Sequence, residues 1–415
     1  MPAPVRLADE LQRAAALDAA DALAPLAAQF HTPDLYFCGH SLGPQPRAAA
    51  DRVAAELRAW ADLAVEGHFR PHRPWADYTR PLAEASARLA GAEPDEVAVM
   101  HSLTVNLHLM LASFYRPQGE RVRILIERPA FPSDRYAVVS HLQWHGLDPR
   151  QALVEVAPRP GEAALRPDDL LERIAREGPR LALVLLGVAN YYTGQVFDLG
   201  ACARAAHDAG ALAGFDLAHG IGNLPLGLHA DQADFAVWCG YKYLNGGPGA
   251  PAGCFVHRRH FTPARPRLAG WWGNRADTRF AMGDDFEPEA GAAGWALSCP
   301  SILALASLDA ALALFQRAPL DALHAKSLAL LALFDRLADL HLPPLPRLTP
   351  RPHAQRGAQI SLALGPAAPA VQQRLRQAGL VCDTRGPVLR LSFHPLYHSF
   401  RQVCHCVERL QQALA

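Results

Sequence analysis

Short apolar runs alternate with helical segments through the middle of the chain, from Glu96 to about Cys254. The runs have the length of strands and are bounded by turn residues, whereas the segments between them have the spacing of amphipathic helices. Strands that alternate with helices in this way predict a largely parallel sheet with helices on both faces. The predicted strands are residues 123–127, 181–186, 212–216 and 234–238.

The two ends of the chain follow other patterns. Apolar residues at helical spacing predict an amphipathic helix over residues 6–29, and a second helix from about 46 to 63 follows a Gly/Pro-rich loop. The C-terminal third predicts a long Ala/Leu helix at about 300–340 and then, after a Pro-rich break, strands at 359–364 and 389–393. We therefore expect an α/β chain in three parts: residues 1–45 packing with the small domain, a large domain 46–299, and a small α+β domain 300–415.

Composition narrows the class of partner. The 415 residues carry 40 acidic and 40 basic side chains, so there is no electrostatic case for nucleic acid or an anionic membrane. The N-terminus lacks the apolar core of a signal peptide, and no apolar stretch is long enough to span a bilayer. Eight cysteines without a paired framework predict reduced thiols and a cytoplasmic protein. Cys404, His405 and Cys406 are adjacent on a predicted helix and diverge, so no metal site is expected.

Lysine is scarce in this chain. Only Lys242 and Lys326 occur, although Lys and Arg together number 40. Arginine serves a solvated surface well, but its guanidinium stays charged and cannot form an imine. Lys242 is therefore a candidate for chemistry that arginine cannot perform. Lys326 lies in a helical pattern and is predicted to be an ordinary surface residue.

An acidic residue ends one predicted strand, and Lys242 follows the next. Asp216 closes the strand at 212–216, and both side chains should reach the edge of the sheet where parallel strands end, which is the edge that binds ligands. A carboxylate and a lysine at this edge suit a pyridine aldehyde cofactor, with the acid holding the ring nitrogen protonated and the lysine forming an imine. The alternative makes Asp216 a helix N-cap and Lys242 a solvated turn residue.

Two further segments are compatible with such a cofactor. Ser102, Leu103 and Thr104 begin a predicted helix, and the free N–H groups of a helix N-terminus bind phosphate; the alternative is an ordinary capped helix. Phe131 and Asp134 follow the strand at 123–127 and offer a ring and a carboxylate, although such loops are common.

The chain resembles the kynureninases, pyridoxal-phosphate enzymes of the aspartate-aminotransferase (type I) fold. That fold has a large domain with a mostly parallel seven-stranded sheet and a smaller α+β domain. The resemblance extends over nearly the whole chain, in the family's order. The matching motifs are GHSLG (39–43), RPW (73–75), LTVNLH (103–108), FPSD (131–134), YTGQ (192–195), FDLAH (215–219), YKYLN (241–245), GW (270–271) and PLY (395–397).

The resemblance implies a pyridoxal 5′-phosphate site. Lys242 would carry the cofactor as an imine, Asp216 would pair with the pyridine nitrogen, and Phe131 would stack on the ring. Tyr241 would lie near the phosphate, and because it is adjacent to Lys242 we take it as the candidate proton shuttle. The other implied cofactor contacts are Leu103, Thr104, Asp134, His219, Trp271 and Cys299.

The resemblance also implies the substrate side of the site. Arg390 would clamp the α-carboxylate, a bidentate task that arginine suits, with Ser41 and His68 as further substrate contacts. Trp271 and Cys299 would reach in from the partner subunit, so that the active unit would be a homodimer. This chain departs from the family at three positions. It has His40 where the family usually has Asn, Gly187 where some members have Ser, and Cys299 where members have Asn or Thr.

The implied reaction is hydrolysis of L-kynurenine to anthranilate and L-alanine, with 3-hydroxykynurenine as a second substrate, in tryptophan degradation or NAD biosynthesis. One alternative is another lyase of this fold, such as a cysteine desulfurase, which needs a nucleophilic cysteine on a mobile loop. Cys382 is the closest candidate, but it lies in a predicted strand. The other alternative is a non-catalytic cofactor-binding regulator.

Overall fold

The computed structural model describes residues 7–70, 73–262 and 264–415, so residue 6 of the first predicted helix lies outside the described residues. The described strands, numbered β1 to β14 in chain order, are Phe30–His31, Leu35–Tyr36, Gln45–Pro46, Val97–Met100, Arg123–Glu127, Leu153–Val156, Leu181–Gly187, Leu212–Asp216, Phe235–Trp238, Ala252–Val256, Gln359–Ala363, Leu380–Val381, Asp383–Arg385 and Val388–Ser392.

The described α-helices, numbered α1 to α13, are Leu7–Ala20, Ala24–Ala27, Ala49–Leu63, Thr79–Ala90, Leu103–Phe114, Pro132–Trp144, Pro149–Ala152, Pro167–Glu177, Leu199–Asp208, Ile302–Phe315, Leu320–His341, Ala368–Gln377 and Phe400–Leu414. Short 3-10 helices occupy Ala64–His68, Trp75–Asp77, Pro94–Glu96, Gly178–Arg180, Arg258–His260, Trp271–Gly273, Arg279–Ala281, Gly291–Trp295, His353–Gln355 and Gly365–Ala367.

A seven-stranded sheet forms the centre of the molecule, in the order β4-β10-β9-β8-β7-β5-β6. Strands β9, β8, β7, β5 and β6 are parallel to one another. Strand β10 is antiparallel to both of its neighbours, β4 and β9. The predicted α/β class with a mostly parallel seven-stranded sheet is confirmed. The apolar pattern located β5, β7, β8 and β9 but not β4, β6 and β10.

Helices cover both faces of this sheet. Alternate residues of each strand point to opposite sides, so a continuous apolar strand presents apolar side chains on both faces. In β7, Val184 and Leu186 belong to one apolar cluster, whereas Leu183 and Leu185 belong to a second cluster on the other face. Strands buried on both faces need continuous apolar runs, and β7 has one. The carboxyl ends of the parallel strands therefore meet at one edge of a rigid sheet.

A smaller antiparallel sheet, in the order β11-β14-β13, lies in the C-terminal third. It shares a third apolar cluster with α11, α13 and residues of the N-terminal segment such as Leu35 and Phe37. Strand β2 also pairs with β12, through Leu35 and Leu380. These contacts support the proposal that the N-terminal segment packs with the small domain.

The long helix predicted at 300–340 is two helices, α10 and α11, which meet at 83°. Pro319 is the N-cap of α11, and its ring cannot continue a helix from α10. The apolar residues of α10, including Leu305 and Phe315, pack in a cluster of the large sheet. The domain limits stay a prediction, and this packing favours a boundary after α10.

The prediction that Lys326 is a surface residue is wrong. Its side chain is buried, and Nζ lies 2.7 Å from Oδ2 of Asp21. Asp21 occupies the break between α1 and α2, where the prediction had one continuous helix. The ion pair explains how a lysine can be buried in α11.

Among the described residues, no single helix is long and apolar enough to cross a bilayer. Only the bent pair α10 and α11 reaches that length and apolarity together, and many of its side chains pack in the interior.

Candidate active site

A small cavity opens at the edge where the parallel strands end. Strand β5 ends there at Glu127, β7 at Gly187 and β8 at Asp216, and Lys242 follows β9. We call this region the lysine end of the cleft. The residues that line the cavity are Glu127, Phe131, Asp134, Gly187, Ala189, Tyr191, Asp216, Ala218, His219 and Lys242.

Lys242 is held in a loop between β9 and β10. Its side chain is buried, and Nζ lies 5.3 Å from the ring centroid of Phe131 and 6.0 Å from that of Tyr241. The loop at 39–43 packs directly on this lysine loop, because Gly43 donates its N–H to the carbonyl of Tyr241 at 2.8 Å. A Cβ on Gly43 would lie 2.4 Å from the backbone oxygen of Lys242, so only glycine fits there.

Three buried carboxyl groups share the lysine end. Asp216 accepts the N–H of Ala218 at 2.6 Å, in a turn and not as a helix N-cap. Burial raises the pKa of Glu127 to about 7. Burial, and then the negative charge of Asp216, raise the pKa of Asp134 well above its usual value.

These carboxyl groups fit a protonated pyridine. Oδ1 of Asp134 is buried and has no hydrogen-bond partner in the described part of the chain. The raised pKa values show that this site disfavours further negative charge, so it favours a ligand that brings a proton or a positive charge. The pyridine nitrogen of pyridoxal phosphate supplies such a proton.

The N-terminus of α5 fits a phosphate. Ser102 is the N-cap residue, but its side chain makes no capping hydrogen bond. Leu103 and Thr104 form the first turn, and the hydroxyl of Thr104 lies 2.8 Å from that of Ser133 at the start of α6. An uncapped first turn leaves backbone N–H groups and the positive end of the helix dipole for an anion.

Two aromatic residues at the lysine end stay neutral. Burial, and then the positive charge of Lys242, lower the pKa of His219, whose Nδ1 lies 3.2 Å from Oε1 of Gln359. Burial raises the pKa of Tyr241 to about 12, so its phenol keeps its proton at neutral pH. Tyr241 can therefore donate a proton to a developing negative charge.

Arg390 lies in β14, buried, opposite Asp383 of β13. Its Nε and Nη2 donate to the two oxygens of Asp383 at 2.8 and 2.6 Å, in a bidentate pair. Nη2 also lies 3.2 Å from Oγ of Ser41, whose hydroxyl donates to Asp383 at 2.5 Å. Although burial opposes it, hydrogen bonds from His40 and Arg390 hold the pKa of Asp383 well below its usual range. We call His40, Ser41, Asp383 and Arg390 the arginine end of the cleft.

Tyr191 connects the two ends. It lines the cavity beside Lys242, and its backbone oxygen accepts a hydrogen bond from Nη1 of Arg390 at 2.7 Å. The same oxygen accepts from Gln359 at 2.9 Å. One backbone segment thus fixes the position of the guanidinium relative to the lysine cavity.

Among the predicted site residues, Trp271, Cys299 and His68 neither line the lysine cavity nor belong to the arginine end. Trp271 and Cys299 are exposed, and the indole N–H of Trp271 donates to the carbonyl of Arg279 at 2.9 Å. His68 contacts Phe69 and Trp75 and is partly exposed. Within one chain these three side chains belong to an outer surface.

Sequence reasoning missed Glu127, Tyr191, Gln359 and Asp383 as site residues. Glu127 carried the same signal as Asp216, because it is an acidic residue that ends an apolar strand. Asp383 could have been found as the partner of Arg390, since both flank the turn at Gly386 and face each other across a hairpin. Gln359 and the backbone of Tyr191 carry no comparable signal.

Comparisons with known proteins agree with this geometry. Residues 323–410 match the family model of the kynureninase C-terminal domain. The cysteine desulfurase CsdA from Escherichia coli, in its S-sulfonic acid form, has 18% identity and a TM-score of 0.77, covering 94% of this chain and 98% of its own. The cystine C–S lyase C-DES, bound to cysteine persulfide, has 19% identity and a TM-score of 0.72, covering 91% of this chain and 97% of its own. At these identities the two structures show the fold alone.

Curated relatives are much more similar in sequence. The kynureninase of Myxococcus xanthus (strain DK1622) is 49% identical over 99% of this chain and 99% of its own length. The kynureninase of Koribacter versatilis (strain Ellin345) is 48% identical over 95% of each chain. Identity of this degree over nearly the full length shows that the chain belongs to the kynureninase family.

Proposed function

We propose that this chain, a pyridoxal-phosphate-dependent hydrolase of carbon–carbon bonds in ketonic substrates, cleaves the Cβ–Cγ bond of L-kynurenine to give anthranilate and L-alanine. The single observation that carries this proposal is the cleft itself, with Lys242 and three carboxyl groups at one end and a buried Arg390 at the other. A substrate with an α-amino group beside an α-carboxylate can contact both ends.

The cofactor supplies an electron sink for negative charge at the substrate Cα. Lys242, once its amine is free, takes the proton from Cα and returns protons during turnover. Asp216 would hold the proton on the pyridine nitrogen, and the unpaired oxygen of Asp134 would offer a hydrogen-bond acceptor nearby. Tyr241, a neutral phenol, relays a proton near the phosphate.

The α-carboxylate is proposed to bind at the arginine end. Arg390 is fixed by Asp383 and by the carbonyl of Tyr191, so the guanidinium loses little freedom when a carboxylate arrives. The hydroxyl of Ser41 lies beside it as a further contact. Leu103 and Thr104 would hold the phosphate, and Phe131 would stack on the ring.

A desulfurase function is not favoured. That chemistry needs an accessible thiolate, but Cys382 is buried between β12 and β13, and burial raises its pKa to about 12. Cys299 is the exposed cysteine of the eight. It lies outside the lysine cavity of its own chain.

A non-catalytic regulator is not favoured either. The chain retains Lys242, Asp216 and Arg390, and such a regulator would not need these three residues together.

Fluorescence of anthranilate tests the function. Protein saturated with pyridoxal phosphate should release anthranilate and alanine in equal amounts from L-kynurenine. Tyr241→Phe should slow turnover while cofactor absorbance persists, because only the hydroxyl that relays the proton is removed. No anthranilate from the unaltered protein would exclude the function, and undiminished turnover in Tyr241→Phe would exclude the proton role.

We also propose that the active unit is a homodimer, working in the cytoplasm. An exposed aromatic row supports the dimer: Phe280 makes edge contacts with Phe69 and Trp271, and all three rings are about half exposed. Contiguous exposed apolar surface of this kind is typical of an interface. His68 touches Phe69 at one end of the row.

Mixing two inactive variants tests whether Trp271 acts across the interface. Lys242→Ala disables its own site, and Trp271→Ala should disable the site of the other subunit. Hybrid dimers would contain one intact site, so that unfolding and refolding a mixture should restore about a quarter of normal activity. Recovery no greater than the sum of the two variants would contradict a shared site.

A further inference from the structure

The buried charges at the arginine end already cancel. Arg390 is paired through two hydrogen bonds with Asp383, and both groups lie within the protein. A substrate carboxylate that binds Arg390 therefore adds a negative charge to a pair with no net charge. An uncompensated charge in a buried site is costly, so carboxylate binding calls for a compensating positive charge.

His40 is the buried group that can supply this charge. Its side chain is fully buried, and Nε2 lies 3.0 Å from Oδ1 of Asp383. Because the ionised carboxylate has no proton to give, Nε2 must be the protonated nitrogen of the neutral ring. Nδ1 then carries a lone pair, and it has no hydrogen-bond partner among the described residues. Asparagine, the family's usual residue here, could donate to Asp383 but could not accept this proton.

The titratable and charged groups around His40 come from four segments. Asp383 and Arg385 belong to β13, and Arg390 belongs to β14. The sulfur of Cys38, in the same loop as His40, lies within 4.8 Å of the ligand atoms of His40 and Asp383. The ring of His219 lies 6.3 Å away. These groups are Cys38, His219, Asp383, Arg385 and Arg390.

The other neighbours do not take up a proton as readily, since burial and the positive charge of Lys242 hold His219 neutral. Burial raises the pKa of Cys38 to about 11, so it is already a neutral thiol. Arg385 is permanently charged and its Nη1 lies 3.3 Å from Oδ2 of Asp383, but 45% of its side chain is exposed, so water screens this pair. Burial, the nearby Arg390 and other groups lower the pKa of His40 to about 4, so His40 starts neutral in the ligand-free cleft. A negative charge beside Arg390 opposes that lowering.

We propose that His40 takes up one proton from solvent at Nδ1 when the substrate α-carboxylate binds Arg390, and that it acts as a positioning residue through Asp383. The inference rests on the proposed role of Arg390. It predicts that carboxylate affinity rises as the pH falls, since the bound state holds more protons than the free state. It also predicts that replacing His40 changes KM and has little effect on kcat.

Calorimetry with a substrate analogue that lacks the α-amino group tests the proposal. The probe is 3-benzoylpropanoate. It keeps the carboxylate and the aryl ketone, but without an amino group it cannot form an imine with the cofactor. Binding to the holoenzyme is measured in two buffers of different ionisation enthalpy, which gives the number of protons taken up. The unaltered protein should take up a substantial fraction of a proton, and affinity should rise about three- to tenfold between pH 8 and pH 6.

Three variants locate the proton. His40→Asn keeps a donor for Asp383 and should abolish both the uptake and the pH dependence of binding. His141→Asn is the matched control: His141 is also buried, burial lowers its pKa to about 4, and it lies in α6 beside His108, so uptake should persist. Arg385→Gln should also leave the uptake unchanged.

The outcomes separate this inference from the function on which it rests. Arg390→Met should abolish probe binding, and unaltered binding in that variant would contradict the clamp itself. Given a working clamp, no proton uptake by the unaltered protein overturns the role of His40. Uptake that persists in His40→Asn, or that disappears in Arg385→Gln, overturns it as well. A parallel KM profile in which His40→Asn stays pH-dependent like the unaltered protein would do the same.

Discussion

Glu127 and Asp383 are both buried carboxyl groups in the same cleft, but their pKa values shift in opposite directions. At the lysine end, burial raises the pKa of Glu127 to about 7, although the backbone N–H of Gly187 lies 3.3 and 3.2 Å from its two carboxyl oxygens. At the arginine end, Asp383 is surrounded by donors from His40, Ser41 and Arg390 and stays ionised.

The difference shows how each end is prepared for its ligand. The lysine end has surplus carboxylate and an unpaired acceptor on Asp134, so it gains most from a cofactor that brings a proton. The arginine end satisfies its own charges before any ligand arrives. One end is therefore completed by a cofactor, whereas the other is a preformed clamp.

The largest expected effect is at the lysine end. Lys242→Arg keeps the positive charge but cannot form an imine or act as a base, so kcat should fall by about ten-thousandfold or more. Steady-state release of anthranilate measures this. Lys326→Arg is the matched control and should stay active, because its ion pair with Asp21 needs only a cation. Activity within tenfold of normal in Lys242→Arg would contradict the assignment.

At the arginine end, the expected loss is mainly in substrate affinity. Arg390→Met removes the positive charge that is proposed to bind the carboxylate, and KM should rise by about a hundredfold to a thousandfold. Arg390→Lys should recover only part of this loss, because an ammonium cannot form the bidentate pair with Asp383 that fixes the guanidinium. An unchanged KM in Arg390→Met would show that the carboxylate binds elsewhere.

The opposite pKa shifts predict opposite effects of pH on stability. The raised pKa of Glu127 means that the folded protein binds the proton more tightly, so its stabilising contribution is lost as the pH rises from about 4.5 to 7. In cofactor-free Glu127→Gln protein this loss should be absent. The change in unfolding free energy caused by the substitution should therefore be more favourable at pH 8 than near pH 4, by up to about 3 kcal/mol.

Asp383→Asn should have the reverse signature. The pKa of Asp383 is lowered, so its contribution is present above about pH 4 and is lost as the pH falls below that value. The variant should be less stable than the unaltered protein at pH 7, and the difference should shrink in acid. Urea unfolding across this range measures both variants, and parallel profiles for the two would contradict the comparison.

The smallest effect is expected at a position outside both ends. Cys299 is exposed in the single chain, and the family resemblance implies that it reaches into the site of the partner subunit. Cys299→Asn should change the ratio of kcat/KM for kynurenine and 3-hydroxykynurenine by about tenfold or less, the usual effect of one polar contact. Turnover of both substrates measures it, and an unchanged ratio would exclude Cys299 from ring selection.

The large sheet was predictable where local pattern determines structure. Strands β5, β7 and β8 were found because continuous apolar runs between turns leave few alternatives. The break between α10 and α11 was missed because the Ala/Leu pattern continues through Pro319, and only packing fixes the 83° turn. The burial of Lys326 was missed for a similar reason, since its partner Asp21 is remote in sequence.

The site was predictable where a residue type has one chemical use. Lys242 and Asp216 stood out because strand ends converge on one edge and because arginine cannot replace an imine-forming lysine. Asp383, Tyr191 and Gln359 act through contacts between remote segments, including a backbone oxygen, and no local pattern marks such contacts. The contributions of Trp271, Cys299 and His68 need a second subunit to be tested.

Reduction with borohydride followed by peptide mapping tests the central claim most directly. The chain contains only two lysines, so a cofactor fixed by reduction of its imine can appear on Lys242 or on Lys326. Our account predicts that the phosphopyridoxyl label is found on the peptide that contains Lys242, in proportion to the activity lost. A label on Lys326, or full inactivation without a label on Lys242, would contradict it.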